Sequence, residues 1–199
     1  MTTTHSPHAL TVAIASTGTT AAVAEPIDVA AVYAAHGEFV WASLQRLGVQ
    51  PSDLHDVLQE VFIVVQQRLR SFEGHSTMRT WLFGISIRVV AAYRRRAYRR
   101  REQPTAEFAE RVAPPIDDPE VAAMREQARE RLSAILDELD LERRAVFVMF
   151  EIDEMSCEEI ASALCVPIGT VYSRLHRARK DVERVAARWL ARDAHGGPR

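Results

Sequence analysis

The sequence predicts an all-α protein with two small helical domains joined by a flexible linker. Apolar residues recur at spacings of three and four along most of the chain, which is the period of a helix buried on one face. Residues 102–120 break this pattern with four prolines and six acidic residues. We therefore expect a tail over 1–26, domains over 27–101 and 121–192, a linker between them, and a tail over 193–199.

Three helices are expected in the first domain. The first covers about 29–47 and ends at Gly48, and Pro51 marks the start of the second. A loop around Gly74 precedes a third helix over about 79–101. The second helix should face the core with a regular apolar stripe of Leu54, Val57, Leu58, Val61, Phe62, Val65 and Leu69.

The charge is unevenly distributed along the chain. The formal net charge is -2, yet six arginines lie between Arg94 and Arg101. Segment 51–101 has a net charge of +6, segment 102–165 of -11, and segment 166–199 of +5. Two basic regions therefore flank an acidic middle, which predicts two anion-binding surfaces. The acidic middle is either a solvated surface or a device that holds the basic domains compact.

The segment SCEEIASALCVPIGTVYSRLHRARK, residues 156–180, predicts a helix-turn-helix. Ser156 and Glu159 form a capping box, and CVPIGT interrupts the helical pattern. The expected inner faces comprise Ile160, Ala161 and Leu164 on the first helix and Val171, Leu175 and Ala178 on the second. The second helix suits the major groove. Its outward residues are Thr170, Tyr172, Ser173, Arg174, His176, Arg177 and Lys180.

Aromatic side chains accompany the arginine block of the third helix. Aromatic rings stack on unpaired bases and arginines hold the backbone, so this helix is a candidate single-strand surface. For Trp81, core packing is the more ordinary explanation. The aromatic residues are Phe72, Trp81, Phe83, Tyr93 and Tyr98.

No enzyme motif stands out. The sequence has no HExxH, GxGxxG, phosphate loop or CxxC pair, so we expect no catalytic residues, metal site or cofactor. No apolar run reaches the roughly 18 residues that span a bilayer, and no basic export signal precedes the first domain, so a cytoplasmic protein is expected. Cys157 and Cys165 are expected to be unbridged, buried thiols.

The two basic regions together carry a family resemblance. DVLQEVFIVVQQRLRSFEGHSTMRTWLFGISIRVVAAYRRR, followed by EEIASALCVPIGTVYSRLHRAR, resembles the extracytoplasmic-function (ECF) sigma factors of the sigma-70 family. The resemblance covers about 29–190. It implies a promoter-specificity subunit of RNA polymerase, with core polymerase, promoter DNA and an anti-sigma factor as partners. The first domain would correspond to sigma region 2 and the second to sigma region 4.

The resemblance also implies roles for individual residues. Polymerase binding falls on Asp56, Gln59, Glu60 and Phe62. Binding of the single-stranded minus-ten element falls on Phe72, His75, Ser76, Thr77, Trp81, Arg88, Tyr93, Arg95, Arg96 and Arg99. Reading of the minus-thirty-five element falls on Thr170, Tyr172, Ser173, Arg174, Arg177 and Lys180. Within that set Tyr172, Ser173 and Arg177 would face bases, while Arg174 and Lys180, together with Arg179, would hold phosphates.

Four positions depart from the family pattern. Arg88 stands where members often have Asn, Ala92 where many have Asp, and Tyr172 where Lys or Arg is common. Cys165 stands where helix-turn-helix proteins often have Gly, which suggests a slightly altered turn. The alternative function is a helix-turn-helix repressor or activator that binds duplex DNA as a dimer, but it leaves DVLQEVF and FEGHSTMRTWL unexplained.

Overall fold

The structure is a computed structural model that describes residues 28–101 and 119–195. Within these residues the chain forms helices and turns without a strand, as the all-α prediction requires. Short 3-10 turns flank α2 and a π turn, Val148–Ile152, extends α5. The helices are α1 Val29–Arg46, α2 Leu54–Arg68, α3 Met78–Arg101, α4 Pro119–Asp137, α5 Leu141–Phe147, α6 Cys157–Leu164 and α7 Ile168–His195.

The described residues cover almost all of both predicted domains, the end of the predicted linker and the start of the predicted C-terminal tail. The predicted tail 1–26 lies outside the described residues, as does all but the end of the predicted linker 102–120. Helix α4 already begins at Pro119, and α7 continues to His195, three residues into the predicted C-terminal tail. Both differences are within the usual uncertainty of helix ends.

Helices α1, α2 and α3 pack together as the first domain. Six of the seven residues in the predicted α2 stripe are buried, and Phe62 is half-buried. Helix α1 ends as predicted, because Gly48 has a φ of +84° and the Val49 N–H returns to the Leu44 carbonyl at 3.1 Å. This left-handed ending reverses the chain so that α2 can pack back against α1.

Helices α4 to α7 form the second domain, and its helix-turn-helix has the predicted form. Ser156 and Glu159 make both bonds of the capping box at the start of α6. On the inner face of α7, Val171, Leu175 and Ala178 are buried. On α6, Ile160 is buried, while the other predicted inner residues, Ala161 and Leu164, are half-buried.

The turn of the helix-turn-helix differs from the expectation. Cys165 itself adopts the left-handed conformation, with φ 55° and ψ 47°, so the turn is not altered to avoid it. The Val166 N–H bonds to the Ala161 carbonyl at 3.1 Å, which completes an ordinary helix ending. A residue with a Cβ is disfavoured there by about 1 kcal/mol. The side chain of Cys165 is exposed, so the prediction of two buried thiols is wrong for it and confirmed for Cys157.

The two domains touch, and their apolar residues form one continuous core cluster. Helix α3 of the first domain packs against α6 of the second, where Gly84 lies next to Ala163. Further domain contacts join Arg46 at the C-terminal end of α1 to Arg144 of α5 and to Asp153, just after the π turn.

Candidate nucleic-acid interface

Helix α7 presents its predicted DNA-facing residues to solvent. Tyr172, Ser173, Arg177 and Lys180 are exposed, and Tyr172 keeps 55% of its surface. The buried residues of the opposite face fix this orientation by packing in the core. Thr170 is half-buried, and its carbonyl accepts a hydrogen bond from the Ser173 hydroxyl at 3.0 Å. The exposed face offers donors and an aromatic ring along one side of a helix that fits the major groove.

Three arginines of α7 are bound to carboxylates of the acidic middle. Arg174 bonds to Glu142, and Arg179 bonds to Glu151 at 2.7 Å while lying over the Phe150 ring. Arg188, farther along α7, pairs with Glu138 at 3.0 Å. The acidic segment therefore neutralises part of α7 inside the second domain. Partly exposed ion pairs of this kind contribute little stability.

The loop before α3 is anchored at its base and open at its tip. The Phe72 and Trp81 rings lie 5.2 Å apart, and both side chains are half-buried. Thr77 accepts a hydrogen bond from the Thr80 N–H at 3.1 Å, which caps the start of α3. His75 is exposed and bonds to Glu73 at 2.8 Å, and the neighbouring Ser76 is half-buried. This geometry supports an exposed tip of polar groups next to an aromatic pair.

Arg88 is engaged by the second domain. One Nη donates to the Gly84 carbonyl at 2.9 Å, and the other donates to the Ala163 carbonyl at 3.2 Å and contacts the Cys165 Sγ at 3.4 Å. The structure therefore places this predicted minus-ten residue at the domain contact.

The other predicted residues of α3 are divided between packing and ion pairs. The Tyr93 hydroxyl donates to Asp53 at 2.6 Å and is half-buried, so it ties α3 to the start of α2. Arg96 reaches both carboxylate oxygens of Glu60 at 2.8 Å. Arg95 is exposed. The side chain of Arg99 lies outside the described part of the chain.

The predicted polymerase-binding residues share the exposed side of α2. Asp56 and Gln59 are exposed, and half-buried Phe62 packs edge-on against Tyr33 with ring centroids 4.8 Å apart. Glu60 belongs to this set but is bound to Arg96, so one predicted polymerase contact neutralises one predicted DNA contact. Ile63 is also exposed and keeps 47% of its surface, so it adds an apolar side chain to this side of α2. It was not among the predicted residues.

Three charged residues at the domain contact were also missed. Arg144 is 1% exposed, donates to the Arg46 carbonyl and bonds to Asp137 at 2.6 Å. The Arg46 side chain in turn bonds to Asp153 at 2.9 Å. Burial lowers the pKa of Arg144 and raises the pKa of Asp153, whose charge Arg46 and Arg79 partly support. Nothing in their sequence context distinguishes these residues from exposed charges.

Arg94 also lies at this contact, on the first-domain side. It donates to the Leu47 carbonyl at 2.6 Å. Burial lowers its pKa, and the nearby Arg144 guanidinium lowers it further. Two guanidinium groups thus converge on carbonyls at the end of α1, where the helix dipole favours positive charge.

The described residues offer no group of His, Cys, Asp and Glu side chains that could hold a metal ion. Over 28–101 and 119–195, no helix combines the length and apolar character needed to cross a membrane.

Family models match both halves of the chain. The sigma-70 region 2 model matches residues 32–100, and the sigma-70 region 4 model matches residues 129–182. Two linked helical domains, one of which has an exposed helix-turn-helix, place this chain in the class of transcription proteins that bind DNA.

Individual relatives identify the family within this class. The ECF RNA polymerase sigma-E factor of Escherichia coli K12 is 32% identical over 149 residues, covering 71% of this chain and 78% of that protein. The ECF RNA polymerase sigma factor SigE of Mycolicibacterium smegmatis is 34% identical over 149 residues, covering 74% of this chain and 57% of that protein. The chain belongs to the ECF sigma factors of the sigma-70 family.

Two solved structures share the fold. CnrH in complex with the cytosolic domain of CnrY matches with a TM-score of 0.58 and 25% identity, covering 80% of this chain and 87% of that chain. The sigma factor RpoE of Bartonella quintana, in complex with the anti-sigma factor NepR, matches with a TM-score of 0.61 and 20% identity. That match covers 78% of this chain and 94% of that chain.

Proposed function

We propose that this chain is a sigma factor that binds core RNA polymerase and directs promoter recognition, strand opening and transcription initiation. The observation that carries the proposal is the pairing of region 2 and region 4 in one chain, in that order. Either domain alone would fit several kinds of DNA-binding protein. The role needs no catalysis by this chain, and it places the protein in the cytoplasm, where bacterial polymerase works.

The mechanism follows from having two binding domains on one chain. When one domain is bound to polymerase, engagement of the other becomes intramolecular and its effective concentration rises. Promoter opening opposes base stacking of about 1.4 kcal/mol per step. Capture of bases by the loop of residues 72–77 and neutralisation of phosphates by α3 arginines would offset that cost.

The exposed residues of α7 would read the upstream promoter element. Arg177 is exposed and positioned to reach base edges, and Lys180 lies one turn nearer the helix end, where it would hold a phosphate. Arg174 and Arg179 would exchange their carboxylate partners for phosphates when DNA binds. The exposed side of α2, with Asp56, would bind the polymerase.

An anti-sigma factor is the proposed regulatory partner. Of the two solved structures reported above, RpoE is a sigma factor in complex with the anti-sigma factor NepR, and CnrH is in complex with the cytosolic domain of CnrY. The half-buried Phe62 and exposed Ile63 on α2 offer apolar area that such a protein could cover.

Gel filtration with purified bacterial core polymerase, without DNA, tests the proposed function. We expect stable co-elution of the wild type. An Asp56→Ala and Gln59→Ala double variant should co-elute less, because both residues lie on the proposed polymerase face. The matched control is Gln66→Ala and Gln67→Ala on the same helix, outside the predicted set. If the wild type ignores polymerase and instead binds palindromic duplex DNA as a dimer, the chain is a conventional regulator and the proposal fails.

A further inference from the structure

Two large apolar side chains are exposed at the start of α7. Ile168 keeps 39% of its surface and Tyr172 keeps 55%. They are four residues apart on one helix, so they are neighbours on its surface. Long side chains in a helix point toward its N-terminus, which directs the Tyr172 ring toward Ile168. The helix that fits the major groove therefore begins with an exposed apolar pair.

Gly169 leaves a gap beside this pair. It is exposed, and a Cβ built on it would lie in open space, whereas a Cβ on Gly84 would sit 2.8 Å from the Ala163 carbonyl oxygen. The backbone of Gly169 is helical, without the positive φ that favours glycine. Neither packing nor conformation within the described chain therefore requires glycine here. Glycine also serves where a ligand approaches the backbone closely, and the gap suits that use.

The start of α7 is uncharged as well as apolar. No residue from Ile168 to Ser173 carries a charge. Arg174 comes next, but it is half-buried and bound to Glu142. The exposed Arg177 lies roughly 12 Å along the helix axis from the gap. Arginine and lysine recognise guanine, whereas apolar side chains recognise the C5 methyl group of thymine, so the start of α7 is suited to thymine.

Tyr172 is also a position at which this chain departs from the family pattern, in which Lys or Arg is common there. An arginine at this position could donate two hydrogen bonds to the edge of a guanine. Tyrosine has a single hydroxyl and a large apolar ring, so it cannot make the same pair of bonds. The departure removes donors from the start of α7 and supplies apolar surface in their place.

We propose that Ile168, Tyr172 and the gap at Gly169 form a methyl site that binds the C5 methyl group of one thymine in the upstream promoter element. The proposal rests on the proposed function, because it places α7 in the major groove of promoter DNA. The methyl group occupies the space of the missing Cβ and packs against the Tyr172 ring, which removes it from water. Arg177 and Lys180 bind the DNA farther along the helix.

Replacement of thymine by uracil is the direct test, because the two bases pair alike and uracil lacks only the methyl group. The full chain, bound to core polymerase, selects duplexes from a library with a randomised upstream element. Each thymine of the selected element is then replaced singly by deoxyuridine, and competition binding measures the affinity. At one thymine the replacement should weaken binding by about fourfold, the cost of one methyl group left out of an apolar contact. A selected element without such a thymine would overturn the proposal.

Gly169→Ala fills the gap with a methyl group of the chain itself. Alanine is the better helix former and meets no clash there, so the variant should fold, which circular dichroism checks. It should bind the thymine and uracil duplexes equally. The matched control is Gly37→Ala, which also lies in a helix and places its Cβ at an ordinary 3.6 Å from the Tyr33 ring. The control should keep the preference for thymine. If Gly169→Ala keeps it too, the methyl group does not occupy the gap and the proposal fails.

Substitutions of Tyr172 test the ring. Tyr172→Ala should lose the preference for thymine over uracil, and Tyr172→Phe should keep it, because the apolar ring remains. Equal loss in both variants would assign the contact to the hydroxyl and overturn the methyl site. Tyr172→Arg should select guanine in place of the sensitive thymine when the library selection is repeated.

Gel filtration with core polymerase separates failure of the methyl site from failure of the proposed function. If the chain co-elutes with polymerase and no replacement of thymine by uracil weakens binding, the proposed function stands and the methyl site is excluded. If the chain ignores polymerase, the library selection and the uracil replacements are repeated with the chain alone. A preference for thymine that Gly169→Ala abolishes would then keep the methyl site and remove the proposed function.

Discussion

The two surfaces predicted to meet DNA are presented in opposite ways. On α7, Tyr172, Ser173 and Arg177 face solvent. On α3, Arg88 is bonded to the second domain, and the loop before it faces the carboxylates of α6. Both surfaces are built by local sequence, but the α3 surface also takes part in the contact between the domains. A change at the domain contact should therefore affect the α3 surface and leave the α7 surface unchanged.

The largest expected effect tests the buried guanidinium at this contact. Arg144→Ala should lower the free energy of unfolding by about 3 kcal/mol, because it leaves a cavity and removes the donor to the Arg46 carbonyl. Urea unfolding measures the change. The control is Arg184→Ala, an exposed residue with an ion pair to Asp181 at 2.9 Å, which should change stability by less than about 0.5 kcal/mol. Equal effects would mean that the domain contact contributes no special stability.

The second largest effect concerns the solvent-exposed surface of α7. Arg177→Ala should reduce promoter discrimination at one upstream base pair by about 1–3 kcal/mol, because an exposed arginine can bond a guanine edge with two donors. Competition binding of polymerase holoenzyme to promoter variants measures it. Arg174→Ala should act more weakly and at no particular base, since Glu142 already binds that guanidinium. A uniform loss for Arg177→Ala would assign that residue to phosphate binding instead.

A smaller effect tests the turn between α6 and α7. Cys165→Gly should raise the free energy of unfolding by up to about 1 kcal/mol, because glycine tolerates the left-handed conformation that Cys165 adopts. Thermal or urea unfolding measures the gain. Ser162→Gly, at an exposed position inside α6, should instead lower the free energy of unfolding by about 0.5 kcal/mol. If both substitutions destabilise equally, Cys165 is not strained.

The smallest effect is a dependence on pH at Asp153. Burial raises the pKa of this carboxyl above its ordinary value of 3.8, so just above that value the folded chain holds a proton that the unfolded chain lacks. Its contribution to stability therefore grows as the pH falls through the raised pKa. Asparagine has no ionisable side chain, so the Asp153→Asn variant lacks this dependence on pH.

Urea unfolding of the wild type and of Asp153→Asn, from about pH 7.5 down to about pH 4.5, measures this difference. The difference in unfolding free energy should shift in favour of the wild type on acidification. A shift in favour of the variant would mean that the ion pair with Arg46 outweighs the burial of Asp153.

Features fixed by neighbouring residues were predictable. The end of α1 at Gly48 and the capping box at Ser156 depend on residue type over a few positions, so the sequence was enough to find them. The buried face of α7 follows from the helical period in the same way. The family assignment required both halves together, because neither motif is specific alone.

Features fixed by distant residues were not predictable. Arg143 and Arg144 are adjacent and chemically identical, yet Arg143 bonds to exposed Asp140 while Arg144 is buried against the first domain. Which of the two arginines is buried depends on which side of α5 packs against α1. No local sequence pattern determines that side. Gly84 was the available signal, since a glycine inside a long helix suggests a close neighbour. The ion pair between Glu60 and Arg96 likewise joined residues that had been assigned to different partners.

Lys180 has a consequence for experiment that goes beyond its proposed contact with phosphate. It is the single lysine of the sequence, and it is exposed on α7. Besides the α-amine of the chain, which reacts in free and bound protein alike, an amine-reactive reagent will therefore modify one side chain, on the face proposed to meet duplex DNA. Protection of Lys180 from that reagent becomes a one-residue footprint of promoter engagement, readable by the mass of the intact chain.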